Sequence, residues 1–215
     1  MEKLEKSIVN FIQVMNTYPR AESQVVKSGG VRYRSELVKQ QIDEKIHLSP
    51  ELQFFYGHCE IVCDIRHDGF ELRSTGIDMG NVLLELCSPE HLVDRQVGYR
   101  WIGTDRKEDP DWHPFWLVIA DINDDPIVVV TDQEHSPVMA FYEAGDLFPI
   151  AHSFSDFLDY LSIMFAFIHE TYAGEIIDDE SCEWGEGFIE ALTERLREIN
   201  PHEELVSNFI DYFYG

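Results

Sequence analysis

Residues 124–161 read DDPIVVVTDQEHSPVMAFYEAGDLFPIAHSFSDFLDYL, and this stretch decides the fold. Its first part alternates β-branched and aromatic runs with polar turn residues, which is typical of antiparallel strands joined by turns. From Phe154 to Leu161 the apolar residues recur at helical spacing. Ser153 precedes that helix as an N-cap, and Asp156 follows three residues on, as in a capping box. The stretch therefore predicts antiparallel strands covered by one amphipathic helix.

The neighbouring sequence extends this pattern. FWLVIADI at 115–122 adds a strand, so residues 115–142 predict a three-stranded meander. Ser49 followed by Pro50 predicts the start of a short helix that ends at Gly57. Another helix is predicted at the beginning of the chain, and two more amphipathic helices are predicted near its end. The fold class is therefore α+β: a mainly antiparallel, twisted sheet flanked by helices, with a C-terminal helical extension.

Three segments show weaker patterns. Residues 35–46 are rich in charge and predict a short polar helix, whereas residues 74–96 predict a turn followed by irregular or helical pieces. Residues 101–114 predict a polar loop. We divide the chain into an α+β domain over residues 1–174 and an acidic helical extension packed on it over residues 175–215.

Charge is unevenly distributed along the chain of 215 residues, whose formal net charge is −25. Residues 1–50 hold eight Lys/Arg against six Asp/Glu, whereas residues 143–215 hold two against seventeen. A negative field of this size repels nucleic acid and anionic lipid, and it speeds association with basic partners. We therefore expect a basic protein partner, with no nucleic-acid or membrane partner. An acidic surface that serves solubility alone is the competing explanation.

The cysteines and the first residues bear on the cellular compartment. Cys59, Cys63, Cys87 and Cys182 lack the spacing of a disulfide framework. The first residues carry charges throughout and lack the uninterrupted apolar segment of a signal peptide. The longest apolar run, 162–168, is too short to span a bilayer. These features predict reduced thiols and a cytoplasmic location.

Two motifs resemble those of the SUKH superfamily, which includes the yeast cell-wall-synthesis regulator and many bacterial immunity proteins. LSPELQFFYGHCEI, from Leu48, is similar to the opening helix of that family. The second motif begins with DDPI, continues with PVMAFYEA and ends at the helix start. Its matching residues are Asp124, Asp125, Pro126 and Ile127, then Pro137 to Ala144, then Ile150, Ala151, Ser153, Phe154, Phe157 and Leu158. The resemblance covers residues 48–163 and implies a SUKH-like fold in a divergent member of the family.

Candidates for chemistry are few. They are His58, Cys59, Cys63 and His67; Asp109, Asp111 and His113; and Asp121, Asp124, Asp125 and Asp132. The first set contains residue types that bind zinc, but it lacks the second pair of ligands that a zinc knuckle needs. A strand would also place its side chains on both faces of the sheet. The second and third sets could hold a hard cation or act in acid–base catalysis, or they could be polar loop and turn residues. We expect no catalytic residue, no metal and no cofactor.

A rim of acidic turns is the expected partner-binding surface. The 104–111 loop, the 123–125 turn and the 132–134 turn each follow or precede a predicted strand, so their tips can gather at one edge of the sheet. Trp112 is the expected apolar anchor, whereas Trp116 is expected to be buried. The acidic C-terminal helices are the alternative surface. The predicted partner-binding residues are Asp105, Glu108, Asp109, Asp111, Trp112, Asp124, Asp125, Asp132 and Glu134.

Three functions fit these patterns. The resemblance implies an immunity protein, a non-enzymatic binding module that neutralises a basic toxin domain such as a nuclease or deaminase. A cytoplasmic regulatory or scaffold protein that binds a cellular partner is the second possibility. The third is a divalent-metal-dependent enzyme that uses the Asp-rich rim.

Overall fold

The computed structural model describes residues 1–18, 26–39, 41–142, 145–177 and 183–215. The helices in this part of the chain are α1 (Glu2–Thr17), α2 (Pro50–His58), α3 (Leu92–Arg95), α4 (Phe154–Tyr172), α5 (Phe188–Ile199) and α6 (Glu203–Tyr214). The strands are β1 (Val26–Lys27), β2 (Gly30–Tyr33), β3 (Cys59–Val62), β4 (Ile65–Arg66), β5 (Ser74–Asp78), β6 (Leu83–Cys87), β7 (Trp101–Ile102), β8 (Lys107–Glu108), β9 (Trp116–Ile122), β10 (Asp125–Val130), β11 (Val138–Ala140) and β12 (Phe148–Ala151).

A six-stranded sheet with the order β12-β11-β10-β9-β6-β5 forms the centre of the fold. Every neighbouring pair in it is antiparallel. Three further two-stranded pairs, β1-β4, β2-β3 and β7-β8, lie outside this sheet. The α+β prediction is confirmed, and so is the meander, whose strands are β9, β10 and β11.

Helix α4 packs its apolar face on the central sheet. The hydroxyl of Ser153 accepts a hydrogen bond from the backbone N–H of Asp156 at 3.0 Å, which confirms the predicted N-cap. Phe157 is 2% exposed, and its ring lies 6.4 Å from that of Phe209 in α6. The C-terminal helices thereby contribute side chains such as Phe209 and Leu192 to the same apolar core as the rest of the chain.

The segments with weak sequence patterns differ from their predictions. Residues 74–88 contain β5 and β6 of the central sheet, because Glu85 and Leu86 pair with β9, and the predicted helical pieces are present only at 89–95. Residues 35–39 and 41–46 form no helix. This segment is instead hydrogen-bonded to the end of α2, where the N–H of Val38 donates to the carbonyl of Gly57. That helix ends one residue after Gly57, and the polar loop 101–114 contains the β7-β8 ribbon.

The segment after α3 is hydrogen-bonded to β9 of the central sheet. The register of the β9-β10 pair shifts between Ile127 and Val128, which makes Ile119 the extra residue of a β-bulge. Gln96, which is fully buried, donates to the carbonyl of Val118 at 2.9 Å and accepts from its N–H at 3.0 Å. The Gln96 amide therefore supplies hydrogen bonds to β9 beside this irregularity, and it holds the segment that follows against the sheet.

Asp64 joins three parts of the chain in the interior. It is 2% exposed, and its carboxylate accepts hydrogen bonds from the N–H of Gly29 at 2.7 Å, the hydroxyl of Thr75 at 3.3 Å and the N–H of Gly76 at 3.2 Å. A buried carboxylate is tolerated when donors of this kind satisfy it. Asp64 therefore fixes the loop before β2 against β5.

Candidate functional site

A groove of about 530 Å³ lies between the segment that follows α3 and the turn that joins β9 to β10. Its lining combines aromatic rings and carboxylates from segments that are distant in sequence. We call it the acidic groove, and its principal lining residues are Tyr99, Asp109, Trp112, Asp124, Asp125 and Phe141.

The turn at one end of the acidic groove is a two-residue hairpin turn. Asn123 and Asp124 have φ angles of 52° and 72°, so both occupy the left-handed region. Two consecutive residues in that region are typical of the type I′ turn, and Asn and Asp are among the residues that tolerate it. Tyr99 fixes this turn, since its hydroxyl donates to the carbonyl of Asp124 at 2.6 Å.

The aromatic wall of the groove is held in place by a second contact. The indole N–H of Trp112 donates to the carbonyl of Trp116 at 3.1 Å, and the two rings meet almost perpendicularly with centroids 5.5 Å apart. On its other side, Trp112 lies 5.7 Å from the ring of Tyr99. Trp116 was expected to be buried, but it is only half-buried. Trp112 and Tyr99 are also half-buried, and each leaves part of its ring open to the groove.

The basic lining residue Arg95 is already engaged by acidic neighbours. Its guanidinium forms an ion pair with Asp121, which is 3% exposed, and lies 4.0 Å from the carboxylate of Glu85. The carboxylate of Asp94, which also lines the groove, is neutralised in turn by Arg106 at 2.6 Å. Among the described residues, the negative charge of Asp109 and Asp124 therefore remains in the groove without such an ion pair.

The C-terminal helix α6 is hydrogen-bonded to the backbone of the groove. The hydroxyl of Tyr212 donates to the carbonyl of Asp125 at 2.6 Å. Burial raises the pKa of Tyr212 well above its ordinary value, and the nearby carboxylate of Asp125 raises it further. The phenol therefore stays protonated and keeps donating at physiological pH. A second hydrogen bond joins α6 to the segment after β11: the hydroxyl of Tyr142 donates to the carbonyl of Asp211 at 3.0 Å.

The structure brings together part of the predicted rim. Asp109, Trp112, Asp124 and Asp125 all line the acidic groove. Three further predicted residues are exposed on the segment between β7 and Trp112 but do not line it: Asp105, Glu108 and Asp111.

Asp132 and Glu134 lie elsewhere, so the prediction that all three segments gather at one edge was wrong. Val130, just before their turn, pairs with Trp116 at the start of β9, whereas Asp125 pairs with Ile122 at its end. The two turns therefore sit at opposite ends of β10. Consecutive turns of a meander must alternate in this way because each strand reverses the chain direction.

Some groove residues are not among the predicted site residues. Asn123 belongs to the predicted 123–125 turn, and Asn-Asp between two β-branched runs indicates a two-residue turn. Tyr99, Phe141 and Arg95 carried no signal for a site. Phe141 lies in the predicted third strand of the meander, Arg95 ends the short helix α3, and Tyr99 lies in an irregular segment. Their position depends on the Gln96 contact to β9 and on the pairing of β11.

The histidines and cysteines near α2 that are candidate zinc ligands make other contacts. Cys59 and Cys63 are buried, while the ring of His58 lies 4.5 Å from that of Phe54, and its Nδ1 lies 3.0 Å from the carbonyl of Arg34. Over the described ranges, no three or more His, Cys, Asp or Glu side chains converge in a way that could hold a metal ion. Cys182 lies outside the described residues. No helix in the described ranges combines the length and apolar character needed to cross a membrane.

The buried thiols make a prediction about reactivity. Burial raises the pKa of both Cys59 and Cys87 to about 12, so almost no reactive thiolate forms at neutral pH. In a Cys182→Ser variant at pH 8, we expect a thiol-reactive dye to label the native protein slowly and the denatured protein promptly, at Cys59, Cys63 and Cys87.

The same raised pKa values predict a loss of stability at alkaline pH. The unfolded thiols ionise near 9.0 and the folded ones near 12. The free energy of unfolding should therefore fall as the pH rises from about 9 towards 12. In the dye experiment, stoichiometric labelling of the native Cys182→Ser variant within minutes at pH 8 would contradict the burial of these thiols.

Comparison of the chain with protein-family models, with curated proteins and with solved structures finds no match in any of the three.

Proposed function

We propose that this chain is a non-enzymatic protein-binding module of the cytoplasm that neutralises a basic toxin domain. The observation that carries the proposal is the acidic groove, where aromatic rings and carboxylates from separate segments line one concavity. The chain's formal charge of −25 supports it, since such a field accelerates the approach of a basic protein. The resemblance of residues 48–163 to SUKH immunity proteins adds the biological setting.

The groove suits recognition of a protein surface. Interface anchors are enriched in Trp and Tyr, which supply large contact areas with little loss of side-chain entropy. Trp112 and Tyr99 meet this description, and hydrogen bonds to Trp116 and Asp124 hold them before any partner arrives. A surface fixed in this way avoids part of the ordering cost of binding.

Growth rescue tests the proposal. The purified chain first captures its partner from source cells, and a bacterium then expresses the basic domain of that partner, with and without the chain itself. We expect co-expression of the wild-type chain to restore growth. Failure of the wild-type chain to restore growth, at an expression level equal to that of the toxin domain, would contradict the proposal.

Matched charge variants refine the test. We expect Asp109→Asn combined with Asp124→Asn to slow association with the toxin domain at least about fivefold at low salt. The difference from the wild type should shrink at physiological ionic strength, where the screening length is about 8 Å. Asp132→Asn combined with Glu134→Gln removes the same charge at the opposite end of β10 and serves as the control. Equal slowing by both pairs would mean that the groove has no special role.

A further inference from the structure

The chemistry of the acidic groove identifies the type of side chain that it accepts. We propose that the groove holds one arginine side chain of the basic partner, with the guanidinium against Trp112 and Tyr99 and hydrogen-bonded to Asp124 and Asp109. This inference rests on the proposed function, because it names the part of the partner that reaches the same site.

The unpaired carboxylates of the groove favour a cationic ligand. Asp109 and Asp124 have no cationic side chain within ion-pairing distance among the residues that the structure describes. Asp94, by contrast, is paired with Arg106 and Arg73, and Arg95 is paired with Asp121. An arriving cation therefore finds two carboxylates whose charge no neighbour compensates.

The wall of the groove is aromatic and suits an organic cation. The rings of Trp112 and Tyr99 lie 5.7 Å apart with a mutual tilt of 38°, and Phe141 lines the same groove. The face of an aromatic ring, that of Trp above all, attracts a cation that lies within about 6 Å of its centroid. Carboxylates alone would suit many cations, but rings beside carboxylates favour an organic one.

The same wall favours arginine over lysine. A guanidinium is planar and weakly hydrated, so it stacks on a ring while its N–H groups donate to a carboxylate in the same plane. A lysine ammonium is a compact, strongly hydrated charge and gains less from the rings. The wall of the groove offers rings and carboxylates together, and arginine is the side chain that uses both.

The groove is also preorganised for this contact. The hydroxyl of Tyr99 holds the turn at Asp124, and the hydroxyl of Tyr212 holds the backbone at Asp125. The carboxylate of Asp109 accepts a hydrogen bond from the N–H of Asp111 at 2.9 Å, which leaves its other oxygen for a ligand. Little rearrangement is therefore needed when a guanidinium enters.

Three short peptides test the inference on the full chain. The probes are N-acetylated, C-amidated Gly-Arg-Gly, Gly-Lys-Gly and Gly-citrulline-Gly, since citrulline has nearly the shape of arginine but no charge. Titration is followed by NMR through the indole N–H signal of Trp112, which a Trp112→Phe variant assigns. We expect the arginine peptide to shift this signal in a saturable way, the lysine peptide to bind about threefold more weakly or worse, and the citrulline peptide to leave it unchanged.

Variants then locate the contact. Asp124→Asn should weaken the arginine peptide about tenfold, which corresponds to about 1.4 kcal/mol. Asparagine tolerates the left-handed backbone at this position, so the turn stays intact. Asp132→Asn, at the far end of β10, should leave binding unchanged. A response to citrulline equal to that to arginine, or equal weakening by both variants, would overturn the inference.

The outcomes separate this inference from the proposed function. If the wild-type chain restores growth but the arginine peptide does not bind at Trp112, the inference is wrong and the toxin-neutralising function stands. If the peptide binds as described but growth is not restored, the groove accepts arginine and the proposed function is wrong.

Discussion

Replacement of Phe157 by alanine is expected to lower the free energy of unfolding by about 3–5 kcal/mol. Phe157 is 2% exposed, and its ring lies 6.4 Å from those of both Phe154 and Phe209. The substitution removes one of the side chains that join α4 to α6, alongside Tyr160, and leaves a cavity in the core. Urea unfolding of the purified variant, followed by circular dichroism, measures the change.

An exposed phenylalanine provides the control for this substitution. Phe70 is 60% exposed, so Phe70→Ala should change the free energy of unfolding by less than about 0.5 kcal/mol. A change below about 1 kcal/mol for Phe157→Ala would be incompatible with its position between α4, α6 and the sheet.

Gly29→Ala is expected to destabilise the fold by about 4 kcal/mol, through overpacking and the loss of a buried hydrogen bond. A Cβ atom at this position would lie 1.9 Å from the carbonyl oxygen of Val62. The clash is between two backbone segments, and the N–H of Gly29 is at the same time bonded to Asp64. The loop can move away only by breaking that bond and disturbing the pairing of Gly30 with Val62.

Gly57→Ala is the matched control, because this glycine lies inside α2 and its added methyl group would meet only the flexible side chain of Leu37, at 3.3 Å. Alanine favours a helix over glycine, so we expect a change of less than about 1 kcal/mol in either direction. Thermal unfolding of both variants decides the matter. Similar midpoints for Gly29→Ala and the wild type would show that the Val62 carbonyl does not restrict this position.

The parts of the fold that the sequence predicted are those with a strong local signal. The β-branched run at Ile127–Val130 and the Ser153 cap before α4 each indicate one structure, and the structure has both. The strands β5 and β6 were missed because residues such as Gly76 and Asp78 are weak strand formers. These strands exist because β6 pairs with β9 through contacts distant in sequence. Local propensity carries no information about such a pairing.

The candidate site was likewise predicted only where the local sequence carried a signal. Asp124 and Asp125 were found because a polar turn between two strand-like runs is visible locally. Tyr99 was missed because its position depends on where the segment after α3 is held on the sheet. The basic partner and the toxin-neutralising function stay predictions that the experiments above address, and the SUKH relationship also stays a prediction.

The backbone at Asp124 has a consequence for how the acidic groove can diverge between related chains. At a φ of 72°, the position favours glycine, asparagine and aspartate. Aspartate is the charged member of this set, and one base change in its codon gives either of the others. The charge at the mouth of the groove can therefore be lost or regained in a single mutational step without disturbing the hairpin. Selection on partner choice could act on this residue almost independently of selection on stability.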